Sequence, residues 1–288
     1  MTSKGQLVKE GSGRIAQAGL PDARLEAELL LGEACQLPRS QLLARLTEPI
    51  DMADARRFEG LLRRRLTREP LAYILGRREF FGREFIVNSD VLIPRPETEL
   101  LVHRALELLD STRDPLVIDV GTGSGAIGLS ILAENPRARL LATDISRPAL
   151  RVAQVNARRL AVEDRVDFLV CDLFSGIRRA VGWDLLILAN LPYVPSDRAA
   201  SLQAEVRQFE PRIALFSPGD GLQIVRRALA GIQTLTKGGE YALLEIDDDQ
   251  GLAVCEVARR VLPGFEVSLT RDSAGLERML QLHNCIST

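Results

Sequence analysis

The sequence has few residues of the kinds that build metal sites and disulfide frameworks. It contains four cysteines and two histidines in 288 residues, and no two cysteines are spaced as CxxC. Structural zinc sites need clustered Cys and His ligands, and disulfide-stabilised folds need more cysteines at short spacing. We therefore expect neither kind of structure, and we predict that no metal ion takes part in the function.

Long apolar runs are also missing. A membrane-spanning helix needs roughly 18 or more consecutive apolar residues, and the sequence has no such run. Residues 1–6 lack the apolar segment that a secretory signal would place near the start. We accordingly expect a cytoplasmic protein without a membrane partner.

Charge of one sign is not in excess, because 37 Lys and Arg residues nearly balance 39 Asp and Glu residues, for a net charge of −2. With balanced charges the protein as a whole does not attract nucleic acid electrostatically, so we expect no stable nucleic-acid binding. The 46% of hydrophobic and 26% of charged residues are typical of soluble globular proteins. A chain of this length can form one large domain or two smaller ones.

The first 78 residues have the pattern of a small helical domain. Apolar residues recur at helical spacing after two aspartates, Asp22 and Asp51, which are suited to cap helices. Arginines lie on the opposite face of the second of these helices, and we interpret that face as a solvated surface. They are Arg56, Arg57, Arg63, Arg64, Arg65 and Arg68.

The rest of the chain has the pattern of an α/β domain. Aromatic residues around Gly82 predict a hairpin linker at residues 79–96, and residues 97–288 then alternate apolar runs with helical patterns. Continuous apolar strands separated by helices predict a parallel sheet covered on both faces, with an antiparallel pair at the end of the chain. The strands are predicted at residues 116–120, 140–143, 166–170, 185–189, 241–246, 265–270 and 278–283.

Residues suited to an adenosine-containing ligand follow the first three of these strands. Directly after the first strand come Gly121, Thr122, Gly123, Ser124 and Gly125. Glycines between a strand and a helix let a ligand approach the backbone. Asp144 ends the second strand, where an acid can accept hydrogen bonds from ribose hydroxyls, and Asp172 and Leu173 follow the third, where they can border adenine. On these features alone, a nicotinamide dinucleotide also fits.

The fourth strand ends in the run Asn190-Leu191-Pro192-Tyr193. This run is similar to the Asn-Pro-Pro-Tyr class of motif in S-adenosylmethionine-dependent methyltransferases that modify planar nitrogens. Such a nitrogen is a poor nucleophile because its lone pair is delocalised, so orientation and electrostatics provide most of the catalysis. The Asn190 side chain and the Leu191 carbonyl can accept its N–H groups, and Tyr193 can pack against its flat group.

Several further stretches carry a resemblance to one family over about residues 26–278. The most specific is Leu92-Ile93-Pro94-Arg95-Pro96-Glu97-Thr98-Glu99, and others include Phe209-Glu210-Pro211-Arg212, Glu245 and Gln250. With these residues the chain resembles the HemK family, the N5-glutamine methyltransferases that act on peptide chain release factors. The resemblance implies a Rossmann-like, seven-stranded class I methyltransferase domain behind a small all-helical N-terminal domain that engages the release factor.

The resemblance also implies a reaction and a site. A methyl group would pass from S-adenosyl-L-methionine, leaving S-adenosyl-L-homocysteine, to the side-chain amide nitrogen of the glutamine in the Gly-Gly-Gln motif of release factors, which act in translation termination. The cofactor would lie against residues 121–125, Asp144, Asp172, Leu173 and Asn190. Residues 190–193 would hold the glutamine, with Asn190, Pro192 and Tyr193 as catalytic residues. Leu191 stands where the family has proline, and it keeps the backbone carbonyl while losing the fixed φ of proline.

Three alternatives remain open from the sequence. An adenine-N6 methyltransferase acting on RNA or DNA would share the Asn190–Tyr193 motif, although it favours basic clefts and aromatic stacking, and aromatic residues make up 5% here. A cofactor-binding scaffold without catalysis would account for Leu191. A nicotinamide-dependent dehydrogenase would leave the run at residues 190–193 unexplained.

Overall fold

The computed structural model describes residues 2–178 and 184–285, and divides them into two units. The first unit comprises Met1–Gly76 with Gln203–Phe209, and the second comprises Arg77–Leu202 with Glu210–Thr288. Within the described ranges, no helix is both long and apolar enough to cross a membrane.

The first unit is helical throughout. Its helices are α1 (Lys4–Gln17), α2 (Ala23–Cys35), α3 (Arg39–Leu43), α4 (Met52–Leu66), α5 (Leu71–Leu75) and α9 (Ala204–Phe209), the last of which comes from far along the chain. Asp51 caps α4 as predicted, because its side chain accepts a hydrogen bond from the Ala53 N–H at 2.7 Å. Asp22 stands at the N-cap of α2 but makes no capping hydrogen bond, since its backbone is left-handed with φ 50°.

The arginine face of α4 departs from the sequence interpretation at one residue. Arg65 is 1% exposed, whereas the sequence predicted a solvated side chain. Its guanidinium donates to Glu26 Oε2 at 2.7 Å, to Glu26 Oε1 at 2.9 Å and to Glu205 Oε1 at 2.9 Å. A buried arginine is tolerated where carboxylates neutralise it and accept its N–H groups. The prediction of a solvated face was therefore wrong for Arg65.

The second unit begins with a hairpin and continues into a seven-stranded sheet. The hairpin strands, β1 (Arg77–Phe80) and β2 (Arg83–Ile86), pair antiparallel across Phe81 and Gly82, which both have positive φ. The sheet contains the strands β3 (Pro115–Val120), β4 (Arg139–Asp144), β5 (Val166–Val170), β6 (Asp184–Ala189), β9 (Tyr241–Glu245), β10 (Phe265–Arg271) and β11 (Glu277–Asn284). Each lies within one residue, at both ends, of its predicted position.

The sheet order is β10-β11-β9-β6-β3-β4-β5. Strands β9, β6, β3, β4 and β5 pair parallel, and β11 pairs antiparallel with both β9 and β10, which confirms the predicted antiparallel edge. Two further two-residue strands, β7 (Val194–Pro195) and β8 (Phe216–Ser217), pair outside the sheet. The seven-stranded α/β sheet that the resemblance implied is thus present.

Helices cover both faces of the sheet. They are α6 (Glu99–Leu109), α7 (Ala126–Glu134), α8 (Arg147–Arg159), α11 (Gln223–Leu235) and α12 (Gly251–Val261). A further short helix, α10 (Arg212–Leu215), directly precedes β8. Alternate residues of β3 point to opposite cores, Ile118 toward the cluster that contains residues of α11 and α12, and Val117 toward the cluster of α6 and α7. Because β4 and β6 lie on opposite sides of β3, the loops that follow β3 and β6 diverge and open a crevice at the carboxyl ends of the strands.

Candidate functional site

The loop after β3 forms the floor of this crevice. Three of its residues, Gly121, Gly123 and Gly125, have φ values of 72°, 56° and 82°, which L-residues with side chains rarely adopt. A Cβ on Gly121 would lie 3.2 Å from a methyl carbon of Leu191, so the position also has little room for a side chain. The loop is anchored to β4 because the Gly121 and Thr122 N–H groups both donate to the Thr143 carbonyl at 2.9 Å.

The buried carboxylate of Asp119 anchors this loop through hydrogen bonds. Asp119 is fully buried, and its Oδ2 accepts from the Thr122 hydroxyl at 2.6 Å and from the Gly128 N–H at 3.2 Å. Its other oxygen is buried without a partner among the described residues. Burial raises the pKa of Asp119 to about 6, and the nearby Asp144 adds to the increase. The Thr122 hydroxyl thus gives its only proton to Asp119, so toward a ligand it could act only as a hydrogen-bond acceptor.

Asp144 lies at the end of β4, beside the glycine loop. Its Oδ2 accepts from the Gly123 N–H at 3.0 Å, and its Oδ1 accepts from the Ser146 N–H at 2.8 Å. Burial raises the pKa of this carboxyl, while the backbone N–H groups lower it. Each carboxylate oxygen can accept more than one hydrogen bond, so both can still bind a ligand hydroxyl.

Asp172 and Leu173 follow β5 on the same edge. Asp172 Oδ2 forms an ion pair with the Arg227 guanidinium at 2.6 Å, in which both side chains are about half exposed. Leu173 has φ 52°, a left-handed conformation that is unusual for a side chain of its size. Arg227 could not be identified as a site residue from the sequence, because it lies on α11, far from any motif.

The run after β6 faces the glycine loop. Asn190 is half-buried, and its Nδ2 donates to the Thr98 hydroxyl at 3.3 Å, while its Oδ1 has no hydrogen-bond partner within the described ranges. Leu191 is 4% exposed and belongs to the core. The Tyr193 carbonyl accepts from Gln250 Nε2 at 3.0 Å, and burial raises the pKa of the Tyr193 phenol well above its usual range.

One cavity brings most of the predicted residues together. It encloses about 1150 Å³, counting its open mouth. The predicted residues that line it are Gly121, Thr122, Gly123, Ser124, Asp144, Asp172, Leu173, Asn190, Leu191 and Pro192. Two predicted residues, Gly125 and Tyr193, are not part of its lining. Gly125 instead precedes α7, where a Cβ would lie 2.6 Å from a methyl carbon of Leu129.

The cavity also has lining residues that no motif indicated. Ile145 and Ile213 are 52% and 55% exposed, and both lie on its wall. Large apolar side chains that remain exposed within a concave site mark a surface that a ligand can cover. Arg95 and Thr98 also line the cavity. The stretch to which they belong, residues 92–99, carried the resemblance in the sequence, but neither residue was predicted there as a site residue.

Comparisons with known proteins give a consistent result. The family model described as "PrmC N-terminal domain" matches residues 6–76, and the model described as "Methyltransferase small domain" matches residues 97–243. A release factor glutamine methyltransferase from Moorella thermoacetica is 44% identical over 273 residues, covering 95% of each chain. One of the same name from Bacillus subtilis is 37% identical over 279 residues, covering 96% of each chain.

One solved structure agrees with this chain at the level of the fold. The hMettl16 catalytic domain, in complex with a MAT2A 3′UTR hairpin, superposes with a TM-score of 0.57 at 19% identity, over 74% of this chain and 78% of that one. Because the identity is low, this likeness supports the methyltransferase fold alone. A release-factor-specific protein-(glutamine-N5) methyltransferase from Alicyclobacillus acidocaldarius is 28% identical over 69% of this chain and 98% of that one, with a TM-score of 0.41.

Proposed function

The chain belongs to the family of release factor glutamine methyltransferases, and we propose that it methylates the side-chain amide nitrogen of the glutamine in the Gly-Gly-Gln motif of peptide chain release factors. It is an S-adenosylmethionine-dependent enzyme that acts on a protein glutamine. One observation supports the assignment of the glutamine to this site. The Asn190 side-chain nitrogen donates to Thr98, while its oxygen has no partner among the described residues and can accept a hydrogen bond from the substrate.

The residues of the cavity fit S-adenosylmethionine. Asp144 offers two carboxylate oxygens that each retain a lone pair for a ribose hydroxyl, and the glycine loop leaves room for the methionine part beside it. Ile145, Ile213 and Leu173 provide the apolar surface that an adenine ring would cover. When bound, the cofactor supplies a methyl group activated by the positive charge of its sulfonium.

The residues after β6 would orient the substrate amide. Asn190 Oδ1 and the Leu191 carbonyl are acceptors for the two N–H groups of a glutamine side chain, and together they would fix the plane of the amide. Fixing that plane aims the nitrogen at the methyl carbon, so the main contribution of the protein is orientation. Leu191 provides its carbonyl in the same way as a proline would, while its side chain packs in the core.

Tyr193 does not line the cavity, so its role in methyl transfer would be less direct than that of Asn190. Its side chain is half-buried and its carbonyl is held by Gln250, so it fixes the end of the run 190–193. We propose that its ring limits the space on one side of the glutamine once the release factor is bound. The phenol stays neutral at physiological pH, because burial and the charges of Glu245 and Asp247 raise its pKa.

The direct test is methyl transfer from labelled S-adenosylmethionine to purified release factor. Wild-type factor would be compared with a variant whose Gly-Gly-Gln glutamine is replaced by alanine, and RNA would serve as a parallel acceptor. We expect label on the wild-type factor alone. Label on RNA would instead support the adenine-N6 alternative, and no transfer despite cofactor binding would support the scaffold alternative.

Two further properties follow from this function. We propose that the enzyme works in the cytoplasm, where release factors act, and that it binds no nucleic acid stably. The net charge of −2 supports the second proposal, because a nucleic-acid-binding surface needs an excess of Lys and Arg. The helical unit would engage the release factor, and its match to the PrmC N-terminal domain supports that role.

Replacing Asp144 by alanine should weaken cofactor binding. The loss of charge-assisted hydrogen bonds to the ribose should cost about 1.5–3 kcal/mol, which raises the dissociation constant about 10- to 150-fold. Calorimetry with S-adenosylhomocysteine measures this directly. Asp167→Ala is the matched control, because Asp167 is exposed on the neighbouring strand β5 and does not line the cavity. Equal affinities for the two variants would show that Asp144 does not bind the ribose.

A further inference from the structure

Glu245 is a buried acid that lies next to Asn190, one of the residues proposed to hold the substrate. Glu245 is the last residue of β9, is 6% exposed and is not part of the cavity lining. Strands β6 and β9 pair parallel with Ala189 opposite Leu244. Asn190, which directly follows β6, is therefore in register with Glu245, the last residue of β9. The sheet register therefore brings together two residues that are 55 positions apart in the sequence.

Glu245 forms no ion pair with any of the residues that the structure describes, although a buried carboxylate normally has a cation in contact with it. Its Oε2 is fully buried and has no hydrogen-bond partner among the described residues. The neutral groups that interact with the carboxyl are the Thr98 hydroxyl and the Asn190 amide. Of the charged groups facing it, Glu97 opposes ionisation and Arg278 favours it. Neither cofactor binding nor the hydrogen bonds proposed for the substrate amide use this buried acid.

The hydrogen-bonding capacity of Asn190 shows what Glu245 can do. A carboxamide has two N–H donors and one oxygen acceptor, and nothing intrinsic decides which end faces the substrate. Thr98 takes one donor of Nδ2 at 3.3 Å. An ionised carboxylate can only accept hydrogen bonds, so an ionised Glu245 would take the other donor and would repel the carboxamide oxygen. That arrangement leaves Oδ1 directed toward the cavity.

We propose that Glu245 is a positioning residue for methyl transfer, which in its ionised form holds the Asn190 carboxamide with its oxygen toward the substrate glutamine. This inference rests on the proposed function and deepens it. A protonated Glu245 could donate to Asn190 Oδ1 and draw the acceptor away from the cavity. The rate of transfer should therefore depend on the ionisation of Glu245, whereas the affinity for the cofactor should not.

The pH dependence has a defined sign. Burial raises the pKa of Glu245 from its usual value near 4.5 to about 7, with Glu97 adding to the increase. Tyr193, which lies close to Glu245, remains neutral over the same range because its pKa is also raised. Below pH 7 Glu245 takes up a proton and kcat should fall, by about tenfold per pH unit once most of the enzyme is protonated. Above pH 8, kcat should reach a plateau.

The central experiment compares wild type with Glu245→Gln. The glutamine side chain keeps the size of the residue and cannot ionise. We expect kcat for release-factor methylation to fall about 10- to 100-fold, the range expected when a charge-assisted hydrogen bond is lost. The KM for release factor and the affinity for S-adenosylhomocysteine should change less than about threefold, since Glu245 touches neither. The variant should also lose the pH dependence near 7.

Glu240→Gln is the matched control. Glu240 is a buried glutamate just before the other end of the same strand, and its carboxylate accepts backbone N–H groups from Lys237 and Gly238. It lies away from the cavity lining, so its substitution should leave kcat and the pH profile unchanged. A fall in kcat of the same size in both variants would indicate a general effect on the sheet and would overturn the proposal.

A double-mutant cycle separates positioning from other roles. If Glu245 acts through Asn190, then Glu245→Gln should cause no further loss of kcat in an Asn190→Ala background. An undiminished loss in that background would overturn the proposal. Should Glu245→Gln not fold, the pH profile of the wild-type enzyme decides, because a flat kcat between pH 6 and 8 is incompatible with this role. Failure of the wild-type enzyme to methylate release factor at all would instead count against the proposed function.

Discussion

Replacing Asn190 by alanine should lower kcat for release-factor methylation by about 10²- to 10³-fold, the loss typical when one positioned hydrogen-bonding group is removed from a site of this kind. Alanine removes the only side-chain acceptor proposed for the substrate amide, and the remaining Leu191 carbonyl cannot fix the amide plane alone. Transfer from labelled S-adenosylmethionine measures kcat, and calorimetry with S-adenosylhomocysteine measures cofactor binding.

The effect of Asn190→Ala on kcat should differ from its effect on cofactor affinity, and this difference tests the role of Asn190. Asn190 lies on the cavity wall, but the groups expected to bind the ribose and the methionine part belong to Asp144 and the glycine loop. Cofactor affinity should therefore change less than about threefold. Asn190→Gln should not restore activity, because the added methylene displaces the acceptor by more than the tolerance of an oriented transfer. If cofactor affinity fell together with kcat, Asn190 would be a cofactor-binding residue first.

The sheet could be predicted from the sequence because buried parallel strands are apolar on both faces. Such strands give short continuous apolar runs in the sequence, and the five parallel strands are found within one residue of their predicted ends. The two antiparallel strands, β10 and β11, are found within one residue of theirs as well. The cavity residues could be predicted for a related reason. The carboxyl ends of parallel strands lie at one edge of a sheet, and Gly121, Asp144 and Asn190 each stand at such an end, so they could be expected to line one site.

Some residues have surroundings that are set by strand register or by distant segments of the chain, and their positions could not be predicted in the same way. Glu245 stood out only as part of a family resemblance, and its position behind Asn190 follows from the pairing of β6 with β9. Helices α9 and α10 are six and four residues long, too short to show a helical period in the sequence. Arg65 looked like its exposed neighbours because nothing local indicates that Glu205 lies against it.

Replacing Arg65 by alanine should destabilise the helical unit by about 3–5 kcal/mol, the usual cost of removing one partner from a buried ion pair. The guanidinium is bidentate to Glu26 and also bonds Glu205, so its loss leaves carboxylates with no compensating charge. Denaturant unfolding followed by circular dichroism measures the change. The control is Arg63→Ala on the same helix, where a 74% exposed side chain pairs with Glu59 and should contribute less than about 1 kcal/mol.

A second substitution tests the reason for this loss. Most of the cost should come from the carboxylate left behind, rather than from the attraction that was removed. The double variant Arg65→Met and Glu26→Leu, which replaces the pair by apolar side chains of similar size, should therefore recover much of the stability lost in Arg65→Ala. Equal losses in the two variants would mean that the N–H groups of Arg65, including its bond to the Glu69 carbonyl at 3.2 Å, matter more than charge balance. Because Glu205 belongs to Gln203–Phe209, the same measurement reports how firmly that distant segment is held in the helical unit.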